Sequence, residues 1–238
     1  MLDKNRILIV ATNTAEYEKV GYRTGLWLGE LTHFWDEVSK AGINMDIASP
    51  AGGFIPLDPE SLMLPTMGHA IGLTGKAHHH YKDRAFMDLL KNSLSLTDIN
   101  PADYSAIYLT GGHGVCFDFP KSKALAELIR NFYESNKIIS AVCHGPAGLL
   151  EVKLSNGSPL VQGKKLTCFS WQEEKLAKRD DAVPYNLEEE LKKRGAEYSK
   201  AKLPLKGYIV EDGLLITGQN PASAKGVGEA VVKRLKTS

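Results

Sequence analysis

The chain has 238 residues, 43% of them hydrophobic, and a formal net charge of +1. That is enough to bury one sizeable core, so a single α/β domain over residues 1–238 is expected. No segment is strongly basic and no apolar run approaches bilayer length, which argues against nucleic-acid binding and membrane spanning.

Arg6 to Ala11 reads as a buried strand; its apolar run is too short for a signal-peptide core. A polar loop, Thr12 to Thr24, follows. Leu26 to Lys40 carries Leu28, Leu31, Phe34, Trp35 and Val38 at helical spacing, and Gly42 ends that helix. Ile43 to Ala48 alternates as a second strand. The stretch 50–82 begins rich in Pro and Gly, has no clear period, and reads as a loop or small insertion over one edge. Asp83 to Leu94 is expected to be helical, with Phe86, Leu89 and Leu90 on one face.

Ala106 to Thr110 is a buried strand ending in Gly111-Gly112-His113-Gly114. Ser122 to Tyr133 is an amphipathic helix through Leu125, Leu128, Ile129 and Phe132. A strand opening at Ile138-Ile139 leads to Cys143, and Lys165 to Phe169 reads as a later strand. Asn186 to Arg194 is a helix that Asn186 can cap and Gly195 ends. Tyr208–Val210 and Leu214–Thr217 bracket Asp212-Gly213 as a hairpin, and Pro221 to Leu235 closes the chain as a helix. Strands alternating with helices predict an α/β fold, a mostly parallel sheet with helices on both faces. The chemistry of such sheets sits at the carboxyl ends of the strands.

Ser140-Ala141-Val142-Cys143-His144-Gly145-Pro146 is the most informative run. Small residues at minus two and plus two of Cys143 have the spacing of a nucleophile elbow between strand and helix. Amides and a helix dipole beyond such a turn would favour a thiolate. The three cysteines, Cys116, Cys143 and Cys168, form neither a disulfide framework nor a zinc spacing, and fit a reducing cytoplasm.

A cysteine nucleophile needs a base and something to orient it. All seven histidines lie at or before His144, which is the local candidate. From Ser170-Trp171-Gln172-Glu173-Glu174, either Glu173 or Glu174 could supply the carboxylate; both also suit the acidic first turn of a helix. The glycine turn at Gly111-Gly112 could furnish an oxyanion hole with the His144 amide. Glu30 lies inside the apolar part of the first helix, where a partly buried acid of raised pKa could exchange protons with substrate, but a helical glutamate is more often solvated and the sequence alone favours that reading. His78-His79-His80 cannot all face one ion on a regular element, so no metal is expected there.

Together these features resemble the ThiJ/PfpI superfamily, which shares a flavodoxin-like three-layer sandwich with the class I glutamine amidotransferases. The resemblance runs nearly end to end and is nearest to the branch of heat-shock chaperones and glutathione-independent glyoxalases (glyoxalase III). It rests on Thr24-Gly25-Leu26-Trp27-Leu28-Gly29-Glu30, Gly111-Gly112-His113-Gly114 with Phe117-Asp118-Phe119-Pro120, Ala141-Val142-Cys143-His144-Gly145-Pro146-Ala147, Asp212-Gly213, and Thr217-Gly218-Gln219-Asn220-Pro221-Ala222-Ser223.

The resemblance implies Cys143 as nucleophile, His144 as its partner and Glu174 as the acidic third member. It implies Glu30 as a buried acid on the sulfur, and Gly112 and His144 as backbone oxyanion donors. It further implies a cofactor-independent glyoxalase III-type lyase acting on a small 2-oxoaldehyde such as methylglyoxal, in a homodimer. The alternatives are a holding chaperone for unfolded proteins and a cysteine peptidase. A glutaminase is disfavoured, because that family's active histidine lies far downstream of its cysteine.

Overall fold

The computed structural model describes residues 6–63 and 79–237. The elements in chain order are β1 (Arg6–Val10), α1 (Leu28–Lys40), β2 (Asn44–Ser49), α2 (Pro59–Met63), α3 (Arg84–Lys91), β3 (Leu94–Ser95), β4 (Ala106–Leu109), α4 (Val115–Asp118), α5 (Lys123–Glu134), β5 (Ile138–Val142), β6 (Lys165–Leu166), α6 (Trp171–Leu176), α7 (Leu187–Lys193), β7 (Glu197–Tyr198), β8 (Ile209–Asp212), β9 (Leu215–Gly218) and α8 (Ala224–Thr237).

The main sheet has seven strands in the order β3-β2-β1-β4-β5-β9-β8. All neighbours run parallel except β8 and β9, which form the expected hairpin. Alternation along each strand feeds two cores. Leu8, Val10, Ile107, Leu109, Ile139 and Ala141 face α5, through Leu125, Leu128, Ile129 and Phe132. Ile7, Ile9, Ala106, Tyr108, Ile138 and Val142 face α1 and α8, which pack side by side. The result is the α/β sandwich with helices on both faces that the pattern predicts, and it is flavodoxin-like.

Local signals act where they are expected. Asp83 caps α3, Ser122 caps α5 and Asn186 caps α7, each through a side-chain oxygen accepting first-turn amides. Three expectations change. The strand expected over Lys165–Phe169 is only the pair Lys165–Leu166, and it joins β7 in a separate two-stranded ribbon. The segment after it turns toward the main sheet, where Phe169 N–H donates to the Cys143 carbonyl (2.8 Å). The element after Cys143 is a 3₁₀ turn, Gly145–Leu149, rather than an α-helix. The 50–82 stretch contains α2, and Leu57 bridges to Leu26; residues 64–78, with His69 and His78, lie outside those described.

His80 is half-buried rather than loop-exposed. Its Nε2 lies 2.8 Å from Asp36 Oδ1 and its ring packs on Phe86.

On the α1 face, Phe34 stacks on Tyr108 with ring centroids 3.7 Å apart, both side chains fully buried. Phe34→Ala is expected to cost about 3–5 kcal/mol, read as a lower urea midpoint at unchanged slope. A loss under about 1 kcal/mol would mean that α1 is not anchored by this pair.

Candidate active site

Cys143 follows the last residue of β5 and has φ +58°, in the left-handed region that a non-glycine residue occupies only when its surroundings force it. The turn is as cramped as its small neighbours suggest: a methyl on Gly145 would strike the Leu109 carbonyl of the adjacent strand. Cys143 is 4% exposed.

His144 is buried beside it, with Nδ1 3.3 Å from the Cys143 sulfur and Nε2 2.7 Å from Glu174 Oε2. A neutral imidazole donating from Nε2 to the carboxylate presents the Nδ1 lone pair to the thiol. Burial lowers the His144 pKa; Glu174 opposes that shift and His113 adds to it. Burial also works against ionising Glu174. Even so, its electrostatic interaction with His144 and hydrogen bonds from His113 and His144 hold its carboxyl well below the usual range.

The choice between the paired glutamates follows from how α6 begins. Ser170 and Glu173 form a capping box, which commits Glu173 to the backbone. Its Oε2 accepts from Ser170 N (3.0 Å), Ser170 Oγ (2.7 Å) and Gln219 Nε2 (2.8 Å); its Oε1 accepts from Leu205 N (2.7 Å) and Asn220 Nδ2 (2.8 Å). Glu173 therefore ties α6 to the loop before β8 and the turn after β9. Glu174, one residue on, meets the two imidazoles instead.

Glu30 is fully buried in the first turn of α1, which corrects the expectation that a helical glutamate is solvated. Neither of its carboxylate oxygens has a partner in full hydrogen-bonding geometry among the described residues. Burial pushes its pKa up to about 8, with the Cys143 thiol and the Gly111 N–H easing ionisation only in part. Cys143 is raised well above the ordinary thiol range, first by burial and then by Glu30; the Gly112 N–H opposes this. A resting thiolate held by a helix dipole is thus replaced by a coupled Cys143–Glu30 pair that retains its protons near neutrality.

The glycines let these groups meet. A methyl on Gly111 would overlap Glu30 Oε2 and come within 2.7 Å of Cys143 Cβ. Gly112 has φ +97°, and a methyl there would strike the Gly25 carbonyl in the lead-in to α1. Its amide is free to face the sulfur, as the glycine-turn reading requires.

The histidine of that turn is what sequence reasoning missed. His113 Nε2 lies 2.7 Å from Glu174 Oε1, and its ring sits 4.3 Å from that of His144. The only sequence signal was a histidine at the carboxyl end of a parallel strand. His113, His144 and Glu174 place nitrogen and oxygen atoms within 4.8 Å of one another, a set that could hold a cation. Each Nε2 faces a Glu174 oxygen at hydrogen-bond distance, so these atoms are engaged with one another as a hydrogen-bonded network.

The sequence pattern of the DJ-1/PfpI family matches residues 25–234. The chain belongs to the DJ-1/PfpI family. It is 31% identical to "Glutathione-independent glyoxalase HSP31" of Saccharomyces cerevisiae, over 99% of this chain and 100% of that protein. It is 30% identical to "Glyoxalase 3" of Candida albicans, over 95% and 97%. Among solved structures, Rapid Encystment Protein 24 of Francisella tularensis superposes with a TM-score of 0.89 at 36% identity, covering 97% of this chain and 99% of that one. Glyoxalase III of Candida albicans does so with a TM-score of 0.84 at 28% identity, covering 97% of both.

Two outcomes are expected of the carboxylates. Glu173→Ala leaves several buried donors unpaired and should cost at least about 3 kcal/mol in chemical denaturation, while Glu174→Gln should cost clearly less; equal losses would contradict their separate roles. Glu30 has a folded pKa above its unfolded value, so its contribution to stability is full below about 4.5 and is lost as pH rises through about 8. Melting temperatures of Glu30→Gln should therefore fall less than wild type across that window; parallel curves would contradict a buried, protonated Glu30.

Proposed function

We propose that the protein is a glutathione-independent glyoxalase converting methylglyoxal to lactate, with Cys143 as nucleophile. The observation that carries the reading is a buried carboxyl, Glu30, coupled to Cys143 on one side while His144, backed by Glu174, meets the sulfur on the other. One group can accept the thiol proton and a second can exchange a proton with the substrate carbons. The names of the relatives at about 30% identity support the same chemistry.

In this scheme the Cys143 proton passes to His144 Nδ1 and the sulfur attacks the aldehyde carbon, giving a hemithioacetal. The Gly112 amide, with that of His144, stabilises the developing oxyanion. The hemithioacetal oxyanion takes up the Glu30 proton, and the carboxylate so formed takes the proton from the former aldehyde carbon and returns it to the neighbouring carbon. A pKa of about 8 suits both halves of that exchange. The product is a lactoyl thioester. Water cleaves it to lactate and restores the thiol, so the net change is addition of one water to methylglyoxal. No cofactor or metal enters the scheme.

The proposal treats residues 1–238 as one domain. No described helix is long and apolar enough to cross a membrane. The three free cysteines suit the reducing cytoplasm, where the protein would act as a homodimer. A holding chaperone draws some support from exposed Tyr22, Phe54 and Met63, and would not need Cys143. A cysteine peptidase is disfavoured, because Cys143 is too enclosed to meet a polypeptide.

Lactate formation from methylglyoxal without glutathione is expected for the wild type. In folded Cys143→Ala it should fall at least about 1,000-fold. Substantial turnover in that variant would remove the mechanism.

A further inference from the structure

His113 is an imidazole for which the scheme above has no use. It is 4% exposed, and its Nδ1 is buried with no hydrogen-bond partner among the described residues. A histidine kept only for structure would be expected to satisfy both nitrogens, since an unpaired buried nitrogen destabilises the fold. The polar bond of this side chain is the one from Nε2 to Glu174 Oε1, at 2.7 Å. Glu174 thus carries one imidazole on each oxygen, at equal distances.

We propose that His113 is a positioning residue for Cys143–His144–Glu174: by occupying Oε1 it fixes the carboxylate and draws off charge that His144 would otherwise receive. The idea deepens the glyoxalase reading and rests on it for its effect on turnover. A carboxylate shared between two donors is a weaker acceptor for each. His144 then stays neutral at lower pH, keeping its Nδ1 lone pair for the Cys143 thiol. The groups facing His144 are Cys143 on its own turn, with Glu30 beyond the sulfur; Glu173 and Glu174 from α6; and His113 from the loop after β4. Those facing His113 are Glu174, His144, Tyr17 and, through its charge, Asp58. His113 can be changed without removing a group that hydrogen-bonds the sulfur or His144.

The test compares wild type with His113→Phe, which keeps a ring but has no donor, and His113→Gln, whose amide can still donate to Oε1. His113→Leu replaces the Phe variant should the latter not melt cooperatively. Two profiles are taken against pH: kcat/KM for methylglyoxal, and the rate of Cys143 alkylation by iodoacetamide, located by peptide mass. In His113→Phe the acid limb of both profiles should move to higher pH by about half a unit or more, with kcat down about tenfold or more. His113→Gln should lie closer to wild type than to His113→Phe in both.

Unshifted limbs in His113→Phe, or equal loss in both variants without a shift, would overturn the proposal. If wild type shows no turnover but the alkylation limb still moves, the positioning role stands and the glyoxalase reading fails. Turnover in wild type with no shift in either profile would give the converse.

Discussion

A fully buried carboxyl group held against a cysteine sulfur is the constraint on which the rest of this structure depends. An isolated buried carboxylate is costly, so Glu30 keeps its proton up to about pH 8. Much of the fold keeps it there. α1 is pinned by Phe34 stacked on Tyr108, whose hydroxyl donates to the Glu30 carbonyl (3.0 Å). β5 ends in a strained turn that presents the sulfur, at a backbone geometry that costs about 1–3 kcal/mol. Between them Gly111 leaves out the one methyl that would hold acid and thiol apart.

Three carboxyl groups near one cysteine take three roles because their surroundings differ. Glu30 meets apolar packing and the thiol, and stays neutral. Glu174 is almost as buried, but two imidazoles donate to it, so it is ionised. Glu173 is surrounded by amide and hydroxyl donors and works as a structural tie. Environments that push acid groups apart in pKa are how one fold can both give and take protons near neutrality.

The sandwich was legible because parallel strands buried on both faces alternate their apolar residues between two cores, as Ile7, Leu8, Ile9 and Val10 do. The elbow was legible because crowding at a strand end restricts its neighbours to small residues, at Ala141 and Gly145. Glu30 was not legible from the sequence alone, since a glutamate in a helix is ordinarily solvated; its burial comes from the first turn of α1 meeting Gly111 and Cys143, just past the carboxyl ends of β4 and β5. The resemblance in Thr24–Glu30 supplied it instead. His113 escaped notice because its partner is 61 residues away and its own segment reads as a glycine turn. β6 was read too long because Thr167 is drawn to the Thr217 side chain of β9 and Phe169 to the elbow, neither of which local sequence reports.

The most direct test of the central claim is infrared difference spectroscopy of wild type against Glu30→Gln at neutral pH. The account expects the wild type to show the carbonyl stretch of a protonated carboxylic acid in a buried environment, and the variant to lack it. That band should fade as pH passes about 8. A wild-type spectrum showing Glu30 only as carboxylate at neutral pH would contradict the account, because no group among the described residues compensates a full charge at that position.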